Sequence, residues 1–145
     1  MNQYNLLQLE NMRYTIYIFL MATLMACNSS KSQIELTNLK TKDYVFLDCM
    51  YQDAYFPTFL VDKCKTIFLN LCFEIETKKP NNLDALYKLT HVSTNKLNGL
   101  QNEFYEYNSE IETGARECFA ENFEFVANAY RFDADLEELI ATREW

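Results

Sequence analysis

Five cysteines, one histidine and a large set of carboxylates are the side chains in this chain with reactive or ligating chemistry. His91 is the sole histidine, so a zinc site with two histidines and the HExxH pattern are both excluded. No metal and no cofactor is expected. A nucleophile paired with histidine would have to be built around His91, since Cys–His and Ser–His pairs need an adjacent imidazole. Its neighbours Thr90, Val92 and Ser93 fall in an expected helix, where a packed or surface histidine is the ordinary outcome. Two carboxylates meeting in space would suit glycoside hydrolysis, but no pair is singled out. The sequence therefore reads as a binder rather than a catalyst, with a small cell-envelope hydrolase using scattered acids as the alternative from the enzyme class.

The carboxylates are unevenly spread. From Gln101 to Trp145 there are twelve Asp and Glu against three Arg, whereas Cys27 to Leu100 holds eight acids and nine Lys. Glu110, Glu117, Glu121 and Glu124 are spaced to share much of one helix side. Such a face would steer a basic protein partner, or else serve as a solvated outer surface. The net charge of −8 argues against nucleic-acid binding, where a basic surface supplies most of the affinity. Gly99 and Gly114, fifteen residues apart, are the chain's two glycines, so a glycine-rich phosphate cradle is excluded.

The elements that must carry these residues are helices. Two glycines and two prolines in 145 residues are too few for the hairpins of a sandwich or barrel, while 49% hydrophobic residues suit a packed core. The pattern predicts an all-α, single-domain bundle of four to five helices. The first covers Asp43 to Ala54, with Tyr44, Leu47, Tyr51 and Ala54 at helical spacing. A second starts near Thr58 with Leu60, Cys64, Ile67, Phe68 and Leu71. Its end is open, because Leu69, Leu71, Phe73 and Ile75 alternate as in a strand. The KKPNN break follows, and Asn82 is an N-cap for a helix carrying Leu86, Tyr87, Thr90 and Thr94. That helix reaches toward Tyr107 with Gly99 as its weak point. Ser109 and Glu112 form a capping box for a helix carrying Ile111, Ala115, Cys118, Phe119, Phe125, Val126 and Ala129. Asp135 with Glu138 opens a last helix, Leu136 to about Arg143.

Tyr14 to Ala26 (YTIYIFLMATLMA) is thirteen residues without charge. That is too short to cross a bilayer but right for the apolar core of a secretory signal, with Arg13 before it. Leu24-Met25-Ala26-Cys27 resembles the lipobox of bacterial lipoprotein signal peptides. The resemblance implies that Cys27 receives a diacylglyceryl group and becomes the first mature residue, anchoring the protein to a membrane. Glu10 is foreign to a basic n-region, so either translation starts at Met12 or the extension is tolerated. The resulting division is a signal peptide over 1–26, a polar tether over 27–41 and a helical domain over 42–145.

With Cys27 acylated, Cys49, Cys64, Cys72 and Cys118 remain as disulfide candidates in an exported domain. Cys64 and Cys72 share a helix face about 12 Å apart, beyond bridging distance. A reversal at Pro57 would oppose Cys49 to Cys64, making Cys49–Cys64 with Cys72–Cys118 the first expectation. Cys49–Cys118 is the open alternative, and reduced packed thiols are the third outcome.

Ser109 to Cys118 (SEIETGAREC), with the helix after it and the closing acidic segment, resembles a family of small Bacteroidetes proteins of unknown function. That likeness spans about Leu83 to Trp145 and implies a helical domain without an assigned activity. A weaker likeness is to periplasmic immunity proteins that neutralise type VI-secreted cell-wall amidases. Those are small exported helical proteins with a cysteine in an early helix and one in the last, comparable to Cys49 and Cys118.

Overall fold

A proline and an asparagine set the starts of the two helices of the central hairpin. Pro57, with φ near −59°, sits at the start of α3, and its carbonyl accepts the N–H groups of Leu60 and Val61. The side chain of Asn82 accepts the Ala85 N–H at 2.9 Å and opens α4, which satisfies an otherwise orphaned helix donor. The computed structural model describes residues 34–145, and these form one packed unit. Its helices are α1 (Leu39–Lys42), α2 (Asp48–Tyr51), α3 (Thr58–Lys78), α4 (Leu83–Asn98), α5 (Gln101–Glu106), α6 (Thr113–Ala129) and α7 (Leu136–Leu139). Among the described residues there is no strand, so the alternation over Leu69–Ile75 belongs to a helix. The expected signal peptide over 1–26, Cys27 and the first part of the expected tether lie outside the described residues.

The core is a line of aromatic rings between α3 and α6. Leu60, Cys64, Phe68, Leu71, Cys72 and Ile75 bury one side of α3 at three- and four-residue intervals. Phe68 stands in the middle, its ring centroid 4.8 Å from Phe123, 6.2 Å from Phe119 and 6.0 Å from Phe46. Each such ring contributes about 2 kcal/mol or more by leaving water. Trp145 closes the line against Phe119 at 5.5 Å. The C-terminal segment reaches that position along α4: Tyr87 Oη accepts the Asp135 N–H, and Asn98 bonds the backbone of Thr142 and Glu144.

Several boundaries differ from expectation. Residues 34–41, expected as tether, pack on the body: Thr37 and Asn38 bond Glu76, and Leu36 is buried. The helix expected over Asp43–Ala54 is broken: Leu47 takes a left-handed conformation (φ 60°), and its N–H is donated to Asn122 instead of to a helical turn. α4 stops at Asn98, and a separate short helix follows Gly99, as the low helix propensity of glycine favours. The capping box does not form. Asn108 is left-handed (φ 55°), so the N–H groups of Asn108 and Ser109 close α5 on Tyr105 and Phe104, and α6 starts only at Thr113. The last helix is one turn, Leu136–Leu139, capped by Asp135 as expected.

Candidate functional site

The residues with chemistry are distributed over four places. The first joins α2 to α6. Cys49 and Cys118 form a disulfide with Cα atoms 6.1 Å apart, closing a sequence separation of 69 residues. Asn122, one turn beyond Cys118, donates to the Cys118 carbonyl at 2.7 Å and accepts the Leu47 N–H at 3.1 Å. One buried amide thus supports both the bridge and the strained turn that brings Cys49 to it. A left-handed leucine costs on the order of 1 kcal/mol and persists where its surroundings hold it.

This pairing corrects the first expectation. Cys64 and Cys72 are free and buried. Cys72 lies level with Tyr130, whose hydroxyl reaches its carbonyl, and Tyr130 is about 18 Å along α6 from Cys118. The Cys72–Cys118 bridge is therefore out of reach. Cys64 points into the core with no exposure, while Cys49 is exposed beside α6, which excludes Cys49–Cys64. Burial pushes the thiols of Cys64 and Cys72 up to about 12, so neither is a thiolate at neutral pH.

The second place is a carboxylate clasp at the end of α3. Glu76 accepts the Thr37 N–H and hydroxyl, each at 2.8 Å, the Asn38 N–H at 3.0 Å and the Tyr130 hydroxyl at 2.8 Å. Burial by itself would raise this carboxyl, but the hydrogen bonds from Asn38, Thr37 and Tyr130 outweigh it and hold it below its ordinary value. The Tyr130 phenol is raised by burial and stays protonated as a donor. The sequence offered no signal for this cluster, since its members are 39 and 54 residues from Glu76.

The third is the acidic row. Glu117, Glu121 and Glu124 are exposed on α6 at helical spacing, so they face solvent together. Glu110 is exposed too, but it precedes α6 and is not part of the row. The fourth is His91, whose Nε2 lies 2.7 Å from the Glu138 carbonyl, while its own carbonyl accepts the Thr142 hydroxyl. Those bonds dock the C-terminal segment onto α4. A groove of about 200 Å³ between α3 and α4, lined by Asn70, Glu74, Lys78, Leu89, Ser93 and Lys96, has the Glu74–Lys78 ion pair on its wall.

Among the described residues, no cluster of His, Cys, Asp and Glu is arranged to hold a metal ion, and no helix is long and apolar enough to cross a membrane. The family described as "Family of unknown function (DUF5713)" matches residues 40–145. The chain belongs to that family. No curated protein and no solved structure matches the chain. The region that defines this DUF5713 member thus runs from α1 to the C-terminal tryptophan and includes both cysteines of the bridge.

Proposed function

We propose that this chain is an exported, lipid-anchored helical protein of the cell envelope that acts by binding another protein. The observation that carries the location is the Cys49–Cys118 bridge, because disulfides form and persist in oxidising compartments. It agrees with the apolar run from Tyr14 to Ala26 and the lipobox-like Leu24-Met25-Ala26-Cys27, which independently imply export and acylation of Cys27. The exposed row of Glu117, Glu121 and Glu124 supports a basic partner, whose approach such a field would steer.

Fractionation tests the anchor. The wild-type protein is expected in membranes with acyl mass on an N-terminal Cys27, and Cys27→Ala is expected in the soluble fraction. Membrane retention of that variant would count against lipidation.

A second reading is an immunity protein against a secreted cell-wall amidase. It is favoured by the joining of an early-helix cysteine to one in the last long helix, the two positions on which that likeness rests. Protection of cells from an amidase toxin encoded beside the gene would support it, and lack of protection by the intact lipoprotein would remove it.

A further inference from the structure

The first turn of α3 and the end of α5 leave their rings in water. Tyr55, Phe59, Tyr105 and Tyr107 are 42%, 40%, 62% and 53% exposed, and Phe73 on α3 is the one other exposed aromatic side chain among the described residues. Phe59 and Tyr107 meet edge to face at 4.7 Å, and Tyr55 rests against Phe56, which leads inward to Phe104. Tyr55 thus rests on rings that lead into the core, and Phe59 and Tyr107 support each other.

The charge around them is mostly negative, with Lys63 as the cation at the Phe59 ring. Residues 48–62 and 98–115, which build this end, contain seven Asp and Glu and no Lys or Arg. Among the described residues the ion pairs are Lys63–Glu103, Lys78–Glu74 and Arg143–Glu137, so Glu106, Glu110 and Glu112 take part in none of them, and Arg116 turns its Nε to the Ile111 carbonyl. Lys63 itself displays the chemistry on offer. Its ammonium is paired with Glu103 and lies 5.8 Å from the centroid of Phe59, held between a ring and a carboxylate.

We propose that this aromatic and acidic end, centred on the Phe59–Tyr107 pair, docks a lysine- or arginine-bearing segment of another protein. The proposal rests on the reading of the chain as an interaction module and moves the contact from the α6 row to the α3–α5 end. Charge selects among occupants. A second copy would set seven acids against seven, and an anionic bilayer would be repelled in the same way. A cationic segment gains from both components, because arginine and lysine stack on exposed rings and pair with the carboxylates around them.

The experiment is fluorescence anisotropy with the full chain carrying Cys27→Ala and a short labelled peptide of alternating arginine and leucine. Binding that weakens as salt rises is expected. The Phe59→Ser/Tyr107→Ser pair should weaken it about tenfold, as should Tyr107→Leu to a smaller degree, since leucine keeps apolar contact with Phe59 and lacks the ring face. Glu106→Gln/Glu110→Gln should flatten the salt dependence. Glu117→Gln/Glu121→Gln/Glu124→Gln should leave affinity within about twofold. Circular dichroism and melting separate misfolding from lost contact.

Unchanged binding by the ring variants would overturn the proposal. So would loss of binding in the α6 triple variant alone, although the interaction-module reading would then stand. A dimer in sedimentation that Tyr107→Leu dissociates, or vesicle binding that it abolishes, would assign the rings to a second copy or a bilayer and likewise overturn it.

Discussion

At the start of α3 the neighbouring chain is fastened by a covalent bond, and at its far end by a carboxylate. Near the first turn, α2 is tied to α6 through Cys49–Cys118 and to α3 through the Tyr51 hydroxyl, which donates to Asp62 at 2.6 Å. Seventeen residues on, about 25 Å along the helix, Glu76 holds Thr37, Asn38 and Tyr130 through four hydrogen bonds. The difference shows in what remains at the surface. Around Glu76 the polar side chains are committed to one another, and the segments 34–45, 74–84 and 128–134 carry six acids against five cations. At the bridged end the cross-link and a few hydrogen bonds restrain the backbone, and rings and acids are left facing water. A fold that fixes one end covalently can leave the side chains there unpartnered without losing the geometry that presents them.

Removing the bridge is the largest perturbation of that contrast. Closing a loop of this length restrains the unfolded chain by about 4 kcal/mol in the chain-entropy description. Cys49→Ala/Cys118→Ala, or reduction of the wild type, should lower unfolding stability in urea by about that amount. A companion measurement counts thiols in a Cys27→Ala protein. Two should react after denaturation without reductant and almost none in the native state, since Cys64 and Cys72 are buried and protonated. Four reactive thiols on denaturation would reject the bridge.

The carboxylate end should respond to pH instead of to redox. Glu76→Gln keeps one acceptor and sets an amide donor against donors, so a loss of about 2 kcal/mol is expected at pH 7. Because the folded protein holds this carboxyl below its ordinary value, its contribution is complete above the unfolded pKa of about 4.3 and is lost as pH falls through the lower folded value. The gap between wild type and Glu76→Gln should thus be flat from pH 7 to about 5 and close below about 4. A gap that widened toward acid would contradict the clasp. Tyr130→Phe removes one of the four bonds to Glu76 and leaves the ring in place, so it should cost about 1 kcal/mol.

The two ends were unequally legible in the sequence, for a physical reason. Thr58, Asn82 and Asp135 announced helix starts because a proline or a capping side chain acts within three residues of itself. Leu86, Thr90 and Phe68 declared buried faces by periodicity. Leu47 did not, because its left-handed turn depends on Asn122, 75 residues away. Ser109 misled for a related reason: the motif suits a helix start, but Asn108 gave the N–H of Ser109 to the end of the preceding helix. The cysteine pairing turned on the same kind of information, since which residues of α6 lie level with α2 is set by packing and not by spacing. The exposed aromatic end escaped notice because a list of hydrophobic residues does not separate a ring in the core from one standing in solvent.

The smallest expected effect is also the one that separates the two ends most sharply. Tyr105 is the most exposed of the four rings, at 62%, and none of its side-chain atoms makes a hydrogen bond within the described residues. It sits in α5 beside Phe104, which is fully buried. If the ring serves the surface and not the fold, Tyr105→Ser should change unfolding stability by less than about 0.5 kcal/mol, while Phe104→Ala on the next residue should cost about 3 kcal/mol or more. The ratio matters more than either value. A cost above about 1 kcal/mol for Tyr105→Ser would mean that the ring supports α5, and the contrast between a committed end and a presenting end would weaken. A near-zero cost would leave Tyr105 with no part in stability, as the contrast between a committed end and a presenting end requires.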